Sequence, residues 1–167
     1  MSSPHRLSLS MQYASSAKNL PTRAQFRRWA RAALQHDVQT ALRIVDEPEA
    51  RALNKSYRGK DYATNVLTFV YADETQPQNV GAKPSSAGGT AGRRLHGDIV
   101  LCAPVVKREA REQHKELAAH YAHLVIHAIL HLQGYGHGDE QDASKMEKFE
   151  TALMAKLGYA DPYAVTS

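Results

Sequence analysis

The chain has 167 residues and one cysteine, carries a formal net charge of +4 and has a sequence pI near 9.2. That length suits one domain with a real hydrophobic core, and a lone Cys102 excludes an internal disulfide framework. No apolar run approaches the roughly 18 residues of a membrane span, and the N-terminus lacks a signal-peptide core. The expected setting is the cytoplasm, away from the membrane, and the modest positive charge permits a polyanionic partner without requiring one.

Taken in order, residues 7–13 alternate Leu, Leu and Met against Ser and Gln, which predicts a half-buried strand. Pro21 and Thr22 then introduce a helix with the hydroxyl as its cap. Phe26, Trp29, Ala30, Ala33 and Leu34 form the apolar stripe of that helix, and Arg23, Arg27, Arg28 and Arg31 are left on a solvated face. Residues 38–45 read as a second strand. Asp46 with Glu49 has the spacing of a capping box, and Pro48 suits the first turn, so a helix is expected over 47–57. It runs into the loop Tyr57-Arg58-Gly59-Lys60-Asp61. Residues 64–71, TNVLTFVY, are rich in β-branched and aromatic types and predict a buried strand.

The composition of 72–94 shifts to Gly, Ser, Pro, Thr and Gln, which predicts a flexible insertion between strands. A further strand is expected over 97–102, GDIVLC, burying Cys102. Pro104 then opens the longest periodic segment, which predicts one helix over 105–133 with an apolar stripe of Leu117, Tyr121, Leu124, Val125, Ala128 and Leu132. A last helix over 142–157 buries Met146, Phe149, Leu153 and Leu157 and stops at Gly158. This order of elements predicts an α/β (α+β) fold, a single mixed sheet packed with helices, with a metal site at the C-terminal end of the long central helix.

That site is read from HAILHLQGYGH, residues 127–137. His127 and His131 are four apart, so on a helix they share one face about 6 Å apart along the axis and can converge on one cation. A third ligand from the same helix lies out of reach. Gly134 can end the helix in the left-handed conformation and allow the chain to return His137 to the same point. Three imidazoles around zinc leave one position open, as in catalytic sites. His123 with His127 is a rival pair with the same spacing, but it strands His131. His120 is about 10 Å from His127 along the helix axis, which suits packing or groove-lining. His5, His36, His96 and His114 are expected at the surface.

The spacing is similar to the HExxH helix of zinc proteases, but Ala128 stands where those enzymes carry their general base. A metal beside a cationic loop suits phosphodiester cleavage better, with Arg58 placed to neutralise charge on phosphoryl oxygens. Together, HAILHLQGYGH, LNKSYRGKDYATNVLTF (53–69) and LHGDIVLC (95–102) closely resemble the YbeY family of bacterial metal-dependent endoribonucleases, in the family's order and over most of the chain. The resemblance implies a single-strand-specific endoribonuclease acting in rRNA maturation, notably at the 3′ end of small-subunit rRNA, and in ribosome quality control. It also implies zinc on His127, His131 and His137, a catalytic arginine at Arg58, and RNA and the ribosome as partners. Two positions depart from the family pattern. Ala128 replaces a glycine, and Gly136 replaces an aspartate that could support a ligand from behind. Two other functions are compatible with the residues alone: a ribosome-assembly factor whose metal is structural, and a metal-dependent hydrolase of a non-RNA substrate.

Overall fold

The computed structural model describes residues 5–71, 94–135 and 140–164. Its elements run β1 (Leu7–Ala14), α1 (Arg23–Ala32), β2 (Asp37–Val45), α2 (Glu47–Arg58), β3 (Val66–Tyr71), β4 (Arg94–Cys102), α3 (Ala103–Glu112), α4 (Leu117–Leu132) and α5 (Glu140–Lys156). The expected α+β architecture is present. Four strands form one mixed sheet in the order β1-β2-β4-β3. β1 and β4 both pair with β2 in parallel, whereas β3 pairs antiparallel with β4 and forms one edge of the sheet.

Strand alternation divides the core between the two faces of the sheet. Val38, Leu42 and Ile44 of β2 and Ile99 and Leu101 of β4 point to the face covered by α1 and α4. Val45, Val100 and Cys102 point to the other face, where Ala50 and Leu53 of α2 cover them. The cysteine is buried, as its apolar setting predicted. Helix α1 brings Phe26 edge-on to both Trp29 and Tyr121, with centroids 5.4 and 5.8 Å apart, and this aromatic cluster joins α1 to α4.

α4 is the central element. The sequence suggests a stripe, but Ala122, Ile126, Ile129 and Leu130 are also fully buried, so apolar neighbours surround most of the helix. No helix among the described residues is long and apolar enough to cross a membrane.

Two expectations are corrected. The helix expected over 105–133 is two helices, broken between α3 and α4. At the break His114 takes a left-handed φ of 56°, and the Lys115 amide donates to the Ala110 carbonyl at 2.8 Å, closing a Schellman-type end. Glycine normally marks such an end, so a histidine there gives no sequence signal. The box at Asp46 also does not form, because Asp46 makes no side-chain cap bond. Its carboxylate instead accepts from the Ser15 hydroxyl and from Ser16, while Glu49 binds Arg43 at 2.6 and 2.9 Å. Thr22 does cap α1, reciprocally with Gln25.

β4 starts at Arg94, three residues earlier than expected, and the rest of the predicted insertion, 72–93, lies outside the described residues.

Candidate active site

α4 ends where the sequence suggested. Gly134 has φ 97°, its amide donates to the His131 carbonyl, and the Tyr135 amide donates to the Leu130 carbonyl at 3.1 Å. The end is also clamped from the side. Gln133 accepts from the amides of Gln35 and His36 through Oε1 and donates to the carbonyls of Ala33 and Ile129 through Nε2. The last turn of α4 is therefore fixed against the loop that follows α1.

One turn apart on the C-terminal part of α4, His127 and His131 face the boundary between core and solvent, with Nε2 atoms 3.0 Å apart. Two nitrogens bound at about 2.0–2.1 Å to one tetrahedral zinc would be separated by roughly 3.3 Å, so the pair fits a shared cation. The third predicted ligand, His137, lies outside the described residues, as does Gly136. Among the described residues no cluster of three ligating side chains occurs. Ala128, the residue after the first histidine, is fully buried in the main core. A carboxylate at this position would sit in that core rather than at the groove.

Three residues that sequence reasoning did not assign stand behind the pair. Glu150 of α5 has no exposed surface and accepts from His127 Nδ1 through Oε2 at 2.9 Å. Its Oε1 accepts from His123 Nε2 and from the Tyr163 hydroxyl, each at 2.5 Å. Burial opposes ionisation of this carboxyl, but the bonds from His123, His127 and Tyr163 outweigh burial and bring its pKa down to about 2. One sequence signal was available. Glu150 lies four residues after Met146 and three before Leu153, on the buried face of its helix, where an unpartnered carboxylate is rarely tolerated.

The histidine pair opens on a groove of about 700 Å³ that follows the β3 edge. Its far wall is the end of α2, with Tyr57 and Arg58, and Tyr57 packs edge-on against Phe69 of β3 at 5.0 Å. Several contacts build the arginine loop. Gly59 takes the left-handed C-cap at φ 71°, and buried Asn54 donates from Nδ2 to the Tyr62 carbonyl at 2.8 Å. Asp61, the carboxylate nearest Arg58 in sequence, binds Arg51 bidentately at 2.7 and 3.1 Å. Among the described residues Arg58 forms no ion pair, and it is solvent-exposed. The structure therefore brings Arg58, His127 and His131 to one groove.

The other histidines are dispersed. His120 is buried and bonded to Glu109 at 2.9 Å, and Asn65 donates to the same carboxylate oxygen. This network ties α4 to α3 and to the start of β3. His96, expected at the surface, is half-buried against the Tyr71 ring. His36 and His114 are exposed, and His5 is half-buried near Asp37.

Comparison with known proteins identifies the family of the chain. The family model described as Endoribonuclease YbeY matches residues 11–158. The chain is 54% identical to the Endoribonuclease YbeY of Nitrosospira multiformis over 96% of its own length and 84% of that protein. It is 52% identical to the Methylobacillus flagellatus protein of the same name, covering 95% of each chain, and 50% identical to that of Thiobacillus denitrificans, covering 94% and 96%. The solution structure of TM1509 from Thermotoga maritima aligns with 92% of this chain and 99% of its own, at 24% identity and a TM-score of 0.49, and the assignment does not rest on it. With these matches running through nearly its whole length, the chain belongs to the YbeY endoribonuclease family.

Proposed function

We propose that the chain is a metal-dependent endoribonuclease that cuts single-stranded RNA in the cytoplasm during rRNA maturation, at the 3′ end of small-subunit rRNA, and in ribosome quality control. The observation that carries this reading is the groove shared by the exposed Arg58 and the converging His127 and His131 nitrogens. In this reading His127, His131 and His137 hold a zinc ion, and Arg58 is the catalytic cation.

A divalent cation bound there supplies Lewis-acid polarisation of a phosphoryl oxygen. The rest falls to the chain's own side chains. Arg58 binds the phosphate as a planar fork and stabilises the negative charge that grows on its oxygens during displacement. The loop pinned by Asn54 and by the Arg51–Asp61 pair holds that guanidinium at the groove. Exposed Tyr57 offers a ring face on which an unpaired base can stack, an interaction closed to a base still held in a duplex.

The test is cleavage of single-stranded and duplex RNA by purified zinc-loaded protein, with and without chelator. Arg58→Ala should lower the rate by roughly 10²–10³, the usual loss for one charge-stabilising donor. His127→Ala should abolish cleavage. Both variants should remain folded, and chelation should leave most of the thermal stability intact because the core around α4 is built without the groove. Melting on chelation would favour the assembly-factor alternative, whose metal is structural. Cleavage at the wild-type rate by both variants would refute the proposal.

A further inference from the structure

Glu150 is the only buried carboxylate among the described residues with no exposed surface at all, and it lies at the junction of α4, α5 and the segment after α5. Isolating such a charge from water costs several kcal/mol unless it is fully bonded. Here it is well compensated. A carboxylate only accepts hydrogen bonds, so each of its three partners must present a hydrogen to it. At His127 that hydrogen is on Nδ1. The remaining nitrogen, Nε2, is the one that faces His131 Nε2. At His123 the same reasoning puts the hydrogen on Nε2, the nitrogen bound to Oε1.

From this geometry we infer that Glu150 is a positioning residue: it fixes His127 in the Nδ1–H form with Nε2 turned to the cation, and His123 and Tyr163 serve to hold Glu150. The inference rests on the reading of His127 as a ligand. It assigns His123 a supporting role although it has the i, i+4 spacing of a ligand pair with His127. It also gives the chain beyond α5 a task, because Tyr163 completes the shell of the carboxylate from a segment that does not line the groove. Tyr163 donates to the oxygen that His123 also uses and leaves Oε2 to His127 alone. The His127 bond is therefore not shared.

The experiment measures zinc affinity of the full-length protein by competition with a chromophoric chelator, in the wild type and in Glu150→Gln and Tyr163→Phe. Loss of an outer partner of a metal-bound histidine typically weakens metal binding about 10–100-fold, and that loss is expected for Glu150→Gln, with a smaller one for Tyr163→Phe. A folded Glu150→Gln protein with wild-type zinc affinity overturns the inference and leaves the metal reading untouched. Since Glu150→Gln can also fail to fold, the imidazole nitrogen shifts of zinc-free wild-type protein give a second readout by NMR. A hydrogen on Nδ1 of His127 supports the inference, and a hydrogen on Nε2 with Nδ1 bare overturns it. Failure of the metal reading looks different: the wild type itself takes up no zinc, and the inference falls with it.

Discussion

Gly97 gives the sharpest test of how the sheet holds the groove. A Cβ built on this residue would lie 2.3 Å from Leu132 Cδ2 of α4 and 2.3 Å from the Phe69 carbonyl oxygen of β3. The leucine can rotate away. The carbonyl cannot, because it belongs to the backbone of the neighbouring strand, where Val70 is the register partner of Gly97. Relief to an ordinary contact needs β3 to move by roughly 1 Å, which is overpacking at the upper end of the usual 1–3 kcal/mol. For a chain of this size each kcal/mol shifts the melting temperature by about 2–4 °C, so Gly97→Ala should lower it by roughly 6–12 °C. β3 also carries Phe69, on which Tyr57 rests, so RNA cleavage should fall even at temperatures where the variant is folded. Calorimetry and denaturant titration measure the first effect, and cleavage assays well below the transition measure the second. A Gly97→Ala protein within about 0.5 kcal/mol of wild type, the range of an ordinary surface change, would refute the claim that this close approach sets the spacing of β4, β3 and α4.

Two further outcomes follow from the groove's walls. Asn54→Ala removes the bond to the Tyr62 carbonyl and should cost only about 1 kcal/mol, since that carbonyl can turn to water and the unpartnered Asn54 Oδ1 disappears too. Cleavage should fall by more than that loss explains, because the Arg58 loop is released, and full activity in a folded Asn54→Ala protein would count against the loop's role. At the opposite end of β3, the Tyr71 hydroxyl donates to Asp98 at 2.8 Å, and this bond, with partial burial, pushes its pKa up to about 12. The folded protein thus retains a proton that the unfolded chain releases above about 10, so the contribution to stability is intact below pH 10 and fades as pH rises towards 12. Following the Tyr71 ring by NMR against pH should show the titration dropping towards the ordinary value in Asp98→Asn, and an unchanged titration would remove Asp98 as the cause.

What the sequence discloses and what it hides divide along physical lines. The histidine spacing and the glycine that ends α4 are local properties of one helix, so periodicity and backbone preference suffice to find them. The sequence points to Arg58 through a cationic loop and the fit of guanidinium to phosphate, and the left-handed Gly59 that brings this loop to the groove wall becomes visible only in the fold. Asp46 was misread because a cap competes with tertiary partners, and Ser15 and Ser16 approach from a different strand end. The break between α3 and α4 was invisible because His114 adopts a conformation that residue type does not announce. Glu150 was missed for a further reason. Its meaning depends on His123, His127 and Tyr163, which reach it from another helix and from the chain beyond its own.

The strand order explains why the groove lies at β3. Val66, Thr68 and Val70 of that strand face the α4 side of the sheet, while Leu67 and Phe69 face the α2 side with Leu53. At an inner strand the sheet would keep the α4 histidines and the α2 arginine on opposite faces, with a hydrogen-bonded layer between them. At the edge that layer ends, so one groove can be walled by His127 and His131 on one side and by Tyr57 and Arg58 on the other. Under the proposed function, an RNA backbone lying across the β3 edge would meet a cation and a guanidinium from opposite faces of the same sheet. The antiparallel β3–β4 pairing therefore matters to chemistry as well as to folding: it places at the edge the strand whose two faces lead to the two halves of the site.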